Sequence, residues 1–133
     1  MECLVGNWKG TGRVTMAGQA ADVKLTWACK RTPGGHGVGC GAEITGLPGL
    51  AAYQESDLFG YDPGSGKYHW FSVTNAGETH DHVADLPKGD DVHWVYTGMQ
   101  EGKPFREVID MRFGEDGRTL SLDAETFLDG KST

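Results

Sequence analysis

Apolar and polar residues alternate along this chain in stretches that recur about every 10–15 positions, separated by clusters of Gly, Pro, Asn or Asp, the mark of hairpin-linked antiparallel strands. The alternation predicts nine strands, near Asn7–Met16, Ala20–Arg31, Gly37–Thr45, Leu50–Tyr61, Lys67–Asn75, Glu78–Asp85, Val92–Met99, Pro104–Phe113 and Arg118–Leu128. Between them lie Pro33-Gly34-Gly35, Asp62-Pro63-Gly64-Ser65-Gly66, Asn75-Ala76-Gly77, Pro87-Lys88-Gly89-Asp90, Glu101-Gly102 and Glu115-Asp116-Gly117. These supply the fixed or positive φ that tight turns need. Every connection is short, so strands adjacent in sequence pair in the sheet. A meander this long leaves two exposed edges unless it closes, which makes a single antiparallel up-and-down barrel the economical all-β fold. Nine strands in strict meander would close with the first and last parallel, so the predicted range is eight to ten.

Composition narrows this picture. At 133 residues the chain holds one domain, and 21 glycines scattered through it argue against long helices. Hydrophobic residues at 38% and aromatics at 10% suffice to fill a core. Twelve Lys and Arg against 19 Asp and Glu give a net charge of −7, the wrong sign for binding phosphate backbones. No window approaches the ~18 apolar residues of a membrane span, and the first residues lack the basic start of a secretion signal. As written the chain would stay cytoplasmic. Its opening is abrupt, however, with Leu4, Val5 and Trp8 reading as core positions. Removal of a leader would place it in the periplasm or outside the cell.

Leu4-Val5-Gly6-Asn7-Trp8-Lys9-Gly10-Thr11-Gly12 resembles the glycine-tryptophan opening strand of lipocalin-like barrels, the calycin group that includes lipocalins, fatty-acid-binding proteins and nitrobindins. Leu58-Phe59-Gly60-Tyr61-Asp62-Pro63, then Tyr68-His69-Trp70-Phe71 and Gly77 are similar to a bacterial family of such barrels whose function is uncharacterised. The resemblance implies a lipocalin-like fold over nearly the whole chain. Only Ala17–Asp22 separates the first two strands, which leaves no room for the helical lid of fatty-acid-binding proteins.

Parity along each strand sorts lumen from outside. Phe105, Glu107, Ile109, Met111 and Phe113 form the inward face of the eighth strand. Leu120, Leu122, Ala124, Thr126 and Leu128 form that of the ninth, and Val23, Leu25, Trp27 and Cys29 that of the second. On the seventh, the bulk of Val92, Trp94 and Tyr96 favours them over His93, Val95, Thr97 and Met99. Glu107 is then a carboxylate on an apolar face, read as a rim or paired residue or as an orienting acceptor or acid/base group with a raised pKa. Gly37, Gly39 and Gly41 leave one face of the third strand bare. A sharp bend with an aromatic across it, Trp27 being the candidate, or a flat ligand would cover that strip.

His80 and His82 share one face of a strand, and His93 follows across the next hairpin. A hairpin centred at Lys88-Gly89 puts all three imidazoles on one face, and a slip of one residue turns His93 away. The polar neighbours Thr79, Asp81 and Asp85 favour a solvated rim over a metal site; His69 and His36 are weaker candidates. Three cysteines leave at least one thiol free. A Gly34-Gly35 loop sets Cys29 opposite Cys40, whereas a Pro33-Gly34 type II turn sets Cys29 against Val38 and Cys40 against Trp27. Cys3 lacks a visible activating base. No phosphate cradle, Gly-x-Ser-x-Gly elbow or Cys-x-x-Cys pair occurs.

The expected function is non-catalytic binding of a small, largely apolar molecule in the lumen, with Trp27, Trp70, Trp94, Tyr96 and Met111 as walls and Glu107 or His80 orienting the ligand. No metal or cofactor is expected, and a homodimer is left open. The competing expectation is an isomerase, cyclase or hydrolase using Glu107 and a lumenal His. A haem barrel, with His80 or His82 as ligand and the three glycines as the opposite wall, is a further alternative, disfavoured because no His follows His93.

Overall fold

The computed structural model describes residues 4–16, 18–49 and 51–132. Leu50, where the fourth predicted strand begins, Ala17 in the first hairpin and Cys3 lie outside the described residues. The strands are β1 (Gly6–Met16), β2 (Gln19–Arg31), β3 (Gly37–Thr45), β4 (Tyr53–Asp62), β5 (Lys67–Thr74), β6 (Thr79–Ala84), β7 (Asp91–Gln100), β8 (Lys103–Phe113), β9 (Thr119–Leu128) and the short β10 (Lys131–Ser132). Each pairs with its neighbour in sequence, and β1 closes on β9. The closure is parallel, from Lys9 beside Thr119 to Thr15 beside Glu125, so the barrel is a nine-strand meander with one parallel seam rather than purely antiparallel. An odd strand count dictates this, because strands that alternate in direction bring the first and ninth together pointing the same way. Among the described residues no helix is long and apolar enough to cross a membrane.

Closure depends on glycine in the motif that opens the chain. A Cβ at Gly10 would lie 2.9 Å from the Leu120 carbonyl oxygen, and one at Gly12 would lie 2.8 Å from that of Leu122. Both contacts are with backbone that the ladder holds in place, so β1 and β9 could not approach with side chains at these positions.

One end of the barrel, bounded by the β2–β3, β4–β5, β6–β7 and β8–β9 connections, is filled. Leu4, Val38, Trp94 and Met111 are at most 2% exposed there. Trp8 donates its indole N–H to the Leu4 carbonyl at 2.6 Å and meets Phe113 edge-on, with centroids 5.5 Å apart. Phe59, Trp70 and Trp94 interlock with centroids 5.3–5.8 Å apart. Val5, expected in this core, is instead exposed.

The β2–β3 hairpin sets Cys29 opposite Cys40, and the two form a disulfide. Gly34 and Gly35 both adopt positive φ, and the loop closes with the Thr32 N–H donating to Gly37 O at 2.9 Å. Of the two hairpin registers open from sequence, this is the one with the Gly-Gly loop.

On β3 the buried residues are Val38, Cys40 and Ala42, so Gly37, Gly39 and Gly41 face outward. Trp27 lies on the lumenal side, opposite Ala42, and does not cover them. The side chain of Leu58 leans over the strip instead, 3.7 Å from where a Gly39 Cβ would sit. With the glycines outside, the lumenal wall required by the haem alternative is not there.

Candidate functional site

The other end of the barrel is open, and its lumen holds a cavity of about 390 Å³. Leu25, Trp27, Ile44, Leu47, Phe105 and Ile109 form its apolar walls. Its polar groups are Tyr53 and Glu55 from β4, Ser72 from β5, Glu78 ahead of β6, His80 and His82 from β6, Gln100 from β7, Glu107 from β8 and Thr126 from β9. Among the described residues, no lysine or arginine lines it.

Alternation delivers these side chains. His80 and His82 occupy the inward positions of β6, with buried Ala84 next in phase. Glu107 follows the parity of Ile109 and Met111 on β8. Between β6 and β7 the described residues make one ladder pair, Val83 with Val95. Across the same two strands the His80 ring stacks on Tyr96, with centroids 4.1 Å apart and planes 18° apart. This register places Ala84 beside Trp94, so His93 turns outward, where its Nδ1 meets Asp110 at 2.6 Å on the exposed surface. The arrangement with three imidazoles on one face is therefore replaced by two histidines and a carboxylate.

Glu107 is the centre of the cluster. Its Oε1 lies 2.6 Å from His82 Nε2 and 3.5 Å from His80 Nδ1. The His82 Nδ1–H donates to the Trp70 carbonyl at 3.2 Å, and its ring stacks on the Trp70 indole with centroids 4.6 Å apart. His80 Nε2 lies 3.5 Å from Glu78 Oε2. Burial alone would raise the Glu107 carboxyl. The imidazoles of His80 and His82 outweigh burial and hold it down at about 2. Of the two readings of Glu107, the paired residue is the one found, with the buried His82 as partner, and the raised pKa is not; the group is an ionised acceptor at neutral pH.

A second acidic pair on β4, Glu55 at the cavity wall and the buried Asp57, was not anticipated. Burial, then the charges of Asp57 and Glu107, push Glu55 up to about 9. Burial also pushes Asp57 up to about 7, against the Trp70 indole N–H and the charge of His82, which pull it down. The Trp70 Nε1–H donates to Asp57 Oδ1 at 2.8 Å. Tyr53 is raised by burial and by the nearby charges of Glu55 and Glu78. Parity could have found this pair, since Tyr53, Glu55, Asp57 and Phe59 share a face. The competing face carries Leu58, and two carboxylates beside Phe59 make that face look solvated.

Of the residues expected to bind a ligand, Trp27, Trp70, His80 and Glu107 line the cavity. Tyr96 backs the His80 ring. Trp94 and Met111 lie in the filled end, at 0% and 1% exposure, away from the cavity wall. Compared with known proteins, the chain matches no family model, no curated protein and no solved structure.

Proposed function

We propose that this barrel, lipocalin-like in type, binds a small molecule in its lumen without transforming it, and that the ligand has an apolar body and a cationic, hydrogen-donating end. One observation carries the reading: a cavity of about 390 Å³ divides into an apolar wall and a polar one on which Glu55, Glu78 and Glu107 stand with His80 and His82, and no lysine or arginine among the described residues lines it. That volume suits a compact ligand, near the lower end of the ~300–1,000 Å³ found for small-molecule sites. Carboxylates crowded into a low-dielectric lumen repel one another, and an ammonium group placed among them would relieve that repulsion and release the proton held by the Glu55–Asp57 pair. The acidic wall makes the ligand more polar than the largely apolar one expected from sequence. The Cys29–Cys40 disulfide fits an oxidising compartment, outside the cytoplasm.

Trp27 and Trp70 both border the cavity, so occupancy should change the intrinsic fluorescence. In chelator-treated protein we expect saturable quenching by an arylalkylamine such as phenethylamine, and none by a carboxylate of the same size such as hydrocinnamate. Glu55→Gln should weaken the amine by roughly tenfold, about 1.4 kcal/mol. Equal response to amine and carboxylate, or no saturable response to either, contradicts the proposal.

A second reading, acid–base catalysis, has its own observation: an imidazole and a carboxylate 2.6 Å apart in an open lumen meet the reach such chemistry needs. It predicts turnover that Glu107→Gln abolishes even at amine concentrations that saturate the variant.

A further inference from the structure

The His80, His82 and Glu107 cluster carries more than ligand orientation. We infer that it is a binding site for a divalent first-row transition ion, held by His80 Nδ1, His82 Nε2 and a Glu107 carboxylate oxygen, with the remaining coordination positions opening onto the cavity. One donor atom from each of the three residues lies within 4.8 Å of the others. Around an ion with bonds of ~2.0–2.2 Å, tetrahedral donors stand ~3.4 Å apart. The two contacts to Glu107 Oε1, at 2.6 Å and 3.5 Å, bracket that spacing, and the third separation, between the imidazole nitrogens, is within 4.8 Å, so side-chain rotations that move the donor atoms by about 1–1.5 Å assemble the site.

The surroundings of the rings set this cluster apart from an ordinary buried ion pair. A metal-binding histidine needs its other nitrogen fixed by an acceptor, which orients the ring and presents the lone pair. His82 has one in hydrogen-bond contact, and His80 has a carboxylate 3.5 Å away. The Trp70 carbonyl takes the Nδ1–H of His82, so an ion that displaces the proton His82 Nε2 shares with Glu107 meets a lone pair on that nitrogen. Glu78 stands at Nε2 of His80, leaving Nδ1 for the ion. Stacking on Trp70 and on Tyr96 fixes the two planes. The acidic lumen supplies a field that favours a cation, and two imidazoles with one carboxylate and open positions suit zinc or ferrous iron over calcium or magnesium.

The inference does not depend on an organic ligand, and its test uses none. Zinc is titrated into the full chain after chelator treatment, by calorimetry and by long-range imidazole ¹H–¹⁵N correlations. The expected result is a single saturable site of micromolar affinity or tighter, with the ring nitrogens of His80 and His82 shifting and those of His36, His69 and His93 unmoved. Glu107→Gln and His80→Gln should each weaken zinc at least tenfold. Glu78→Gln, which touches no donor atom, should weaken it by roughly 10–100-fold and restore in Glu78→Asp, whereas His93→Ala should leave it unchanged. Absence of saturable binding, or zinc shifts confined to the other histidines, would overturn the inference. The wild-type spectra decide this even if a variant fails to fold.

Discussion

The two ends of this barrel are built from the same nine strands and the same alternation, yet they differ in what the inward positions carry. Toward the Cys29–Cys40 end, Trp8, Val38, Phe59, Trp94, Met111 and Leu120 are buried and interlocked. Toward the other end the inward positions hold Tyr53, Glu55, Ser72, His80, His82, Glu107 and Thr126 around open space. Trp70 belongs to both, packing with Phe59 and Trp94 on one side of the division and stacking on His82 at the other. Stability is concentrated in the filled end, and buried charge in the open one. The difference lies in side-chain choice at equivalent positions, because alternation dictates only which residues face inward.

Hollowing the filled end should have the largest effect. Trp94→Ala removes a side chain of 0% exposure and should cost about 3–5 kcal/mol in urea unfolding, whereas Phe105→Ala, at the half-buried rim of the cavity, should cost less than half as much. Equal losses would mean the open end is as tightly packed as the other. Next in size is the disulfide, which closes a loop of 11-residue separation. Reduction should cost about 3 kcal/mol of stability, read from unfolding curves with and without reductant, and should leave amine binding at the far end intact.

The acidic pair gives an effect in the open end with a defined sign. A carboxyl whose folded pKa exceeds its unfolded value holds its proton more tightly when folded. Its contribution is therefore full below the unfolded value and is lost as pH rises through the folded one. Glu55, moved from 4.5 to about 9, and Asp57, moved from 3.8 to about 7, should make the metal-free protein melt lower at pH 9 than at pH 5. Glu55→Gln should remove much of that slope and raise the melting temperature at pH 9 by on the order of 5 °C. Smallest of all is His93→Ala. Its pairing with Asp110 is on the exposed surface, and loss of such a pair should change stability by less than about 0.5 kcal/mol.

Strand existence and the inward faces of β2, β7, β8 and β9 were legible because large apolar side chains mark them in strict alternation. Closure was legible as a consequence of edges, and its parallel sense as a consequence of an odd strand count. The β4 and β6 lining was harder to read. Glu55, Asp57, His80 and His82 are the residue types that normally mark a solvated face, and only contacts between strands distant in sequence show that they converge on Glu107. The direction of the Glu107 shift was illegible for the same reason: its sign is set by imidazoles 25 and 27 residues away, and a strand read alone supplies only the burial.

The division between a filled end and a charged, hollow end is tested most directly by the carboxyl titrations themselves, followed by side-chain ¹³C chemical shifts in metal-free, ligand-free protein. The Glu55–Asp57 pair should give up its protons in two steps, near pH 7 and near pH 9, with phenethylamine drawing both steps downward. Two midpoints close to 4, unmoved by the amine, would contradict that division.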